Sequence, residues 1–82
     1  MMQNENANVL NANLILNRLQ QRVSKSNAQL LLNMAKIQSG IQVEDNALEI
    51  EKETAKNLCL SLIKLGGPSF QVGQSIYKEY LM

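Results

Sequence analysis

The chain has 82 residues, and its eight basic and seven acidic side chains leave a net charge of +1. A chain of this length forms at most one domain with a modest core. The near-neutral balance argues against a general binder of nucleic acid or acidic membranes, because such proteins carry a clear basic excess. Apolar residues make up 45% of the chain, which is typical of a folded protein and too high for intrinsic disorder.

Reactive side chains are scarce: the chain has one cysteine, Cys59, and no histidine. A single thiol cannot form an internal disulfide, and without histidine there is neither a general base near pH 7 nor a His/Cys metal cluster. We therefore expect a non-enzymatic protein with no catalytic, cofactor-binding or metal-binding residues and no small-molecule substrate. Cys59, placed between two leucines, is predicted to be a buried structural thiol.

The sequence also bears on localisation. No basic residue precedes an apolar core near the N-terminus, so we expect no secretory signal. The longest apolar run, 58–63, is far shorter than the roughly 20 residues that span a bilayer, so we expect no membrane span. The default expectation is a cytoplasmic protein, with signal-free export or incorporation into a secreted or virion assembly as the alternative.

The first predicted element is a long helix over about residues 5–39, a stretch without Pro or Gly. Gly40 follows it and is predicted to take the left-handed cap position. A polar segment at 24–27 leaves open a break near 24–26, with Ser26 starting a capping box, but the lack of Gly and Pro favours one continuous helix. A hydrophobic repeat of seven residues runs along it: Met2, Val9, Leu16, Val23, Leu30 and Ile37.

Apolar residues lie on two sides of this helix. The main stripe is predicted to face the core and contains Val9, Ala12, Leu16, Leu19, Val23, Leu30, Met34 and Ile37. A second set projects from nearly the opposite side, at about 100° per residue: Leu10, Leu14, Ala28 and Leu32. Because a helical hairpin covers only one side of its long helix, the second side needs a third helix, a folded-back tail or another copy of the protein to cover it. We expect it to pack on neighbouring copies.

Two further helices are predicted. The second spans about 46–65, with Asn46 and Glu49 as a capping box and Gly66-Gly67-Pro68 as its end. The third spans about 69–81, with Ser69 as its cap. The predicted fold is therefore a single all-α domain in which a long helix and a shorter one form an antiparallel, coiled-coil-like hairpin, followed by a short C-terminal helix.

The C-terminal segment contains all three aromatic residues of the chain. This tail is expected either to dock on the hairpin and close its core or to insert into a neighbouring subunit. Aromatic side chains with a polar tip suit interfaces that are partly wet. Together with the second side of the long helix, they give the predicted interface residues Leu10, Leu14, Leu32, Phe70, Tyr77 and Tyr80. The predicted function is that of a helical protein–protein interaction subunit whose partner is protein, above all further copies of itself in a homo-oligomer.

The alternative function is a small nucleic-acid-binding regulator. Arg18, Arg22 and Lys25 lie three or four residues apart on one sector of the long helix and could contact phosphates. Three basic residues without interleaved aromatic residues, in a nearly neutral chain, are only a weak indication of nucleic-acid binding. Nucleic acid is therefore not the expected partner.

A resemblance to known proteins rests on Leu31-Leu32-Asn33-Met34-Ala35, a second leucine-containing helix, and Gly73-Gln74-Ser75-Ile76 after Pro68. This pattern resembles a family of very small bacterial motility proteins. More generally, a short helical chain with an amide-rich long helix is similar in type to axial or tubular subunits of flagellar, secretion and phage assemblies. The resemblance implies a structural component or an adaptor.

Overall fold

The structure is a computed structural model, and it describes residues 10–41 and 47–81. Within these ranges the chain is mostly helical and contains no strand, which confirms the predicted all-α character. Residues 10–41 and 47–81 contain four helices instead of the predicted three, so the expected hairpin with one short C-terminal helix is not the fold observed. They are α1 (Ala12–Gln20), α2 (Lys25–Ser39), α3 (Lys52–Leu65) and α4 (Gly67–Ile76), with α4 continuing into a π-helical turn, Tyr77–Leu81.

The prediction of one continuous helix up to residue 39 is wrong, because the chain breaks between α1 and α2. Ser24 adopts an extended conformation, with φ −64° and ψ 161°, and its side chain accepts a hydrogen bond from the Asn27 amide at 3.2 Å. This N-cap satisfies an amide that the first turn of α2 leaves without a helical partner. The alternative of a break near 24–26 is correct, although the cap is Ser24 and not Ser26.

The N-terminal end of the described chain is extended rather than helical. The Ile50 amide donates to the Leu10 carbonyl at 2.8 Å, and Asn11 forms an isolated antiparallel bridge with Glu49. The Asn11 side chain then caps α1 by accepting from the Leu14 amide at 2.8 Å. Residues 10 and 11 are therefore not part of a helix, and the predicted positions 5–9 lie outside the described residues.

The same bridge moves the start of the next helix toward the C-terminus. Glu49 lies in the extended segment, so α3 begins at Lys52 and not near residue 46. Asn46, the predicted cap, lies outside the described residues. Glu51 takes the N-cap position without a side-chain hydrogen bond. Ile50 turns into the core from this segment, whereas Leu48 stays exposed.

The predicted glycine boundaries are correct. Gly40 ends α2 in the left-handed region at φ 72°, and Gly66, at φ 78°, separates α3 from α4. Pro68 lies in the first turn of α4, where its missing amide proton costs no helical hydrogen bond. Ser69 is therefore inside α4 and is not its cap, which corrects the predicted start of the third helix.

The four helices share one apolar core, in which α3 contacts α2, α4 and the π-helical turn, and α1 packs on α2 and α4. Small side chains occupy several contact positions, so helices approach closely there. The buried apolar residues are Leu10, Ala12, Ile15, Leu19, Ala28, Leu32, Ala35, Ile50, Ala55, Leu58, Cys59, Leu62, Val72 and Ile76. Cys59 is buried, as its position between two leucines predicts.

Candidate protein-interaction surface

Three large apolar side chains of α2 are exposed on the side of the helix that faces away from the core. Leu30 is 56% exposed, Met34 39% and Ile37 79%. They follow one another at intervals of four and three residues, which places them on one side of a helix over two turns. We call these three residues the α2 outer face.

The orientation of α2 is set by its opposite side. Ala28, Leu32 and Ala35 are buried there, with exposures of 0 to 2%. At about 100° per residue, the mean direction of this buried set points roughly opposite to the α2 outer face. Because two of the three buried side chains are alanines, α2 can lie close to its neighbouring helices, and the larger side chains remain outside.

No charged side chain of α2 itself flanks the α2 outer face. The exposed side chains that flank it are Ser26, Asn27, Asn33 and Gln38, all of them uncharged. Lys25 and Lys36 are the charged residues within α2, and each lies more than about 100° around the helix from the centre of the face. An apolar stripe with amide flanks and no charge is unlike an ordinary solvated helix surface.

Two of the predicted interface residues are part of the core and cannot form an exposed interface. Leu10 is buried because the extended segment pairs with Ile50, and Leu32 is buried because the break at Ser24 turns α2 so that this side faces inward. Conversely, Leu30, Met34 and Ile37 were expected in the core. The heptad repeat includes residues 21–24, which are not α-helical. The seven-residue spacing therefore does not place the apolar residues of α1 and α2 on one common side.

The other predicted interface residues lie at the edge of the core or outside it. Leu14, Tyr77 and Tyr80 are partly buried and pack against the core cluster. Phe70 on α4 is 41% exposed. Of the six predicted interface residues, Phe70 is therefore the one whose side chain is most available to a neighbour.

The basic residues of the alternative prediction are placed differently from one another. Arg18 on α1 forms two hydrogen bonds with Glu79, at 2.7 Å and 3.0 Å, and a longer one of 3.4 Å to the Ser75 hydroxyl. The hydrogen bond with Glu79 raises the pKa of Arg18, and the same bond lowers the pKa of the Glu79 carboxyl. The Arg18 charge is thus neutralised within the fold, while Arg22 and Lys25 are exposed.

A cleft of about 190 Å³ lies between α1 and α4 beside this ion pair. Its lining is polar, with Arg18, Gln21, Arg22, Gln71, Val72 and Ser75 around it. The Arg18 guanidinium that borders the cleft already binds a carboxylate of the same chain, so it offers an incoming anion little additional attraction.

Elsewhere in the described ranges, nucleophilic and metal-binding side chains are not grouped into a site. Burial raises the pKa of the Cys59 thiol to about 11, so the reactive thiolate form is scarce at neutral pH. In residues 10–41 and 47–81, no group of three or more His, Cys, Asp or Glu side chains could hold a metal ion. The helices in these ranges include none that is long and apolar enough to cross a membrane.

Comparisons with known proteins give no match, whether with family models, with curated proteins or with solved structures. The resemblance to small bacterial motility proteins therefore stays a prediction. The α2 outer face is a surface whose composition departs from that expected of a solvated helix, since it groups three exposed large apolar side chains.

Proposed function

We propose that this chain is a non-enzymatic helical subunit that binds protein through the α2 outer face, and that its first partner is a further copy of itself. The observation that carries the proposal is the exposure of Leu30, Met34 and Ile37 together on one side of α2. The largest contiguous apolar patches on monomeric proteins are often functional sites.

The size of the face sets the expected strength of binding. Side chains of this type and exposure present a patch of roughly 300 Å², at the lower end of the largest apolar patches on monomeric proteins. A standard interface buries about 800 Å² on each partner, so the three side chains form only its apolar centre. We expect self-association in the micromolar range or weaker, because the cost of immobilising two molecules offsets much of the hydrophobic gain.

An assembly larger than a dimer requires a second contact surface, since a face that pairs with itself closes after two copies. Phe70 is the predicted interface residue that supports such a contact, because its ring is exposed on α4. Axial or tubular assembly, or an adaptor role, would then combine the α2 outer face with a separate contact centred on Phe70.

The experiment is a concentration series, from micromolar to millimolar, followed by sedimentation velocity. We expect the wild-type chain to shift from monomer to dimer, and the double variant Leu30→Ser with Ile37→Ser to stay monomeric over the whole range. Both positions are exposed, so the double variant should keep its helical circular dichroism spectrum.

The matched control is Leu48→Ser, which removes an exposed leucine outside α2; Leu48 is 64% exposed. It should dimerise like the wild type. A wild-type chain that remains monomeric at millimolar concentration would contradict the proposed self-association. Equal loss of dimer in the control would show that general surface hydrophobicity, and not the α2 outer face, drives association.

A further inference from the structure

We infer that two copies of α2 pair antiparallel about a two-fold axis that passes near Met34, an arrangement that rests on the self-association proposed above. The occupant of the α2 outer face is thus the same face of a second copy. Two observations support this arrangement, the uncharged flanks of the face within α2 and the nearly symmetric order of its apolar residues, and the electrostatics of helix dipoles favours the same direction.

The missing charge favours a second copy over a charged partner. A surface that pairs with itself brings each of its charges near an identical one, which costs free energy. The α2 outer face avoids this cost because its exposed flanks at Ser26, Asn27, Asn33 and Gln38 are uncharged. Asn and Gln side chains both donate and accept hydrogen bonds, so identical amides can pair across a two-fold axis.

The order of the apolar residues along α2 fits a partner helix that runs in the opposite direction. Leu30 and Ile37 lie at the two ends of the face with Met34 near its midpoint, so an antiparallel partner sets Leu30 against Ile37 at both ends. Met34 then lies beside its counterpart at the axis, where a flexible thioether side chain adapts to an irregular gap. Each apolar side chain of one copy therefore meets an apolar side chain of the other.

The helix dipoles favour the same direction. The face spans about two turns in the middle of α2, so a paired copy lies beside the helix over that length. In an antiparallel pair, the positive N-terminal end of each helix lies near the negative C-terminal end of the other. A parallel pair would instead bring like ends together.

Disulfide cross-linking tests this arrangement, because a disulfide needs the two Cα atoms within about 7 Å. In the antiparallel pair, the two copies of residue 30 are offset along the helix axis by seven residues, or roughly 10 Å. Under mild oxidation, a mixture of the single variants Leu30→Cys and Ile37→Cys should form mixed cross-linked dimers. The yield should be at least about tenfold above that of either variant alone.

The wild-type chain is the control, since its Cys59 is buried and should not cross-link. Efficient cross-linking of the Leu30→Cys variant with itself would overturn the antiparallel arrangement while leaving self-association standing. If sedimentation velocity detects dimers that never cross-link through residue 30 or residue 37, the two copies pair through a surface other than the α2 outer face. A chain that never dimerises would refute the self-association itself, together with this inference.

Discussion

Gly73 on α4 lies directly against the main-chain carbonyl oxygen of Cys59 on α3. A Cβ atom added at Gly73 would be 2.8 Å from that oxygen, 3.0 Å from the Leu62 Cβ atom and 3.1 Å from an Ile63 side-chain carbon. The nearest obstacle is backbone, which cannot rotate away as a side chain can. The absence of a side chain at Gly73 therefore permits the close crossing of α3 and α4.

Replacing Gly73 with alanine should destabilise the protein despite the higher helix propensity of alanine. Alanine gains up to about 1 kcal/mol over glycine inside a helix. Overpacking a tight contact costs about 1–3 kcal/mol, and the larger value applies where backbone must move. We expect a net loss of about 1–2 kcal/mol in the free energy of unfolding, measured by urea denaturation. The exposed neighbour Gln74→Ala is the control and should be nearly neutral; equal stability of both variants would contradict the close crossing.

The ion pair between Arg18 and Glu79 should make the stability of the fold depend on acidic pH. The guanidinium holds the pKa of the Glu79 carboxyl below its ordinary value of 4.5 in the folded protein. A carboxyl whose folded pKa is lowered stabilises the protein above the ordinary value, and this contribution is lost as the pH falls through the folded pKa. Both groups are partly solvated, so we expect only about 0.2–1 kcal/mol.

Urea denaturation of wild type and Glu79→Gln at several pH values measures this contribution. At pH 7 the variant should be slightly less stable. The difference between the two proteins should shrink as the pH falls below the ordinary carboxyl pKa and disappear once the pH lies below the lowered pKa of folded Glu79. The variant Glu49→Gln controls for the loss of one exposed negative charge, because Glu49 is exposed and lies outside the helices. A difference that persists unchanged into acid would assign the effect of Glu79 to packing and not to its charge.

Ser69 presents a buried hydroxyl whose Oγ atom has no hydrogen-bond partner among the described residues. A buried polar atom without a partner costs about 1–3 kcal/mol relative to its hydrated state. Ser69→Ala removes this atom with little change in volume and should raise the free energy of unfolding by about 1 kcal/mol. Ser75→Ala is the control, because the Ser75 hydroxyl contacts Arg18 and Glu79 and its removal should not stabilise. A less stable Ser69→Ala protein would mean that the hydroxyl finds a partner in solution.

Local signals in the sequence were sufficient for the helical class and for several boundaries. Gly40 and Gly66 end helices as predicted, because their backbone conformations favour glycine. The burial of Cys59 also follows from its leucine neighbours. These features depend on a few adjacent residues, which is why they could be predicted without knowledge of the tertiary structure.

The candidate surface could not be predicted, because it depends on contacts between distant residues. Large apolar side chains were expected inside, yet α2 buries Ala28 and Ala35 and exposes Leu30 and Ile37. Tertiary packing selected the smaller side, where the helices can approach closely. The pairing of Leu10 with Ile50 is likewise non-local, so no periodicity in the first forty residues indicates that Leu10 is extended and buried.

The cap at Ser24 fixes the direction in which α2 presents its outer face, and two serines on the same turn allow a matched test. Ser24→Ala removes the acceptor for the Asn27 amide and should cost about 1 kcal/mol of unfolding free energy. Ser26→Ala should be nearly neutral, because Ser26 is exposed within the first turn of α2. Urea denaturation and helical circular dichroism of both variants distinguish the two serines. If Ser26→Ala were the costly change instead, α2 would begin two residues later, and its phase relative to α1 would have to be reassigned.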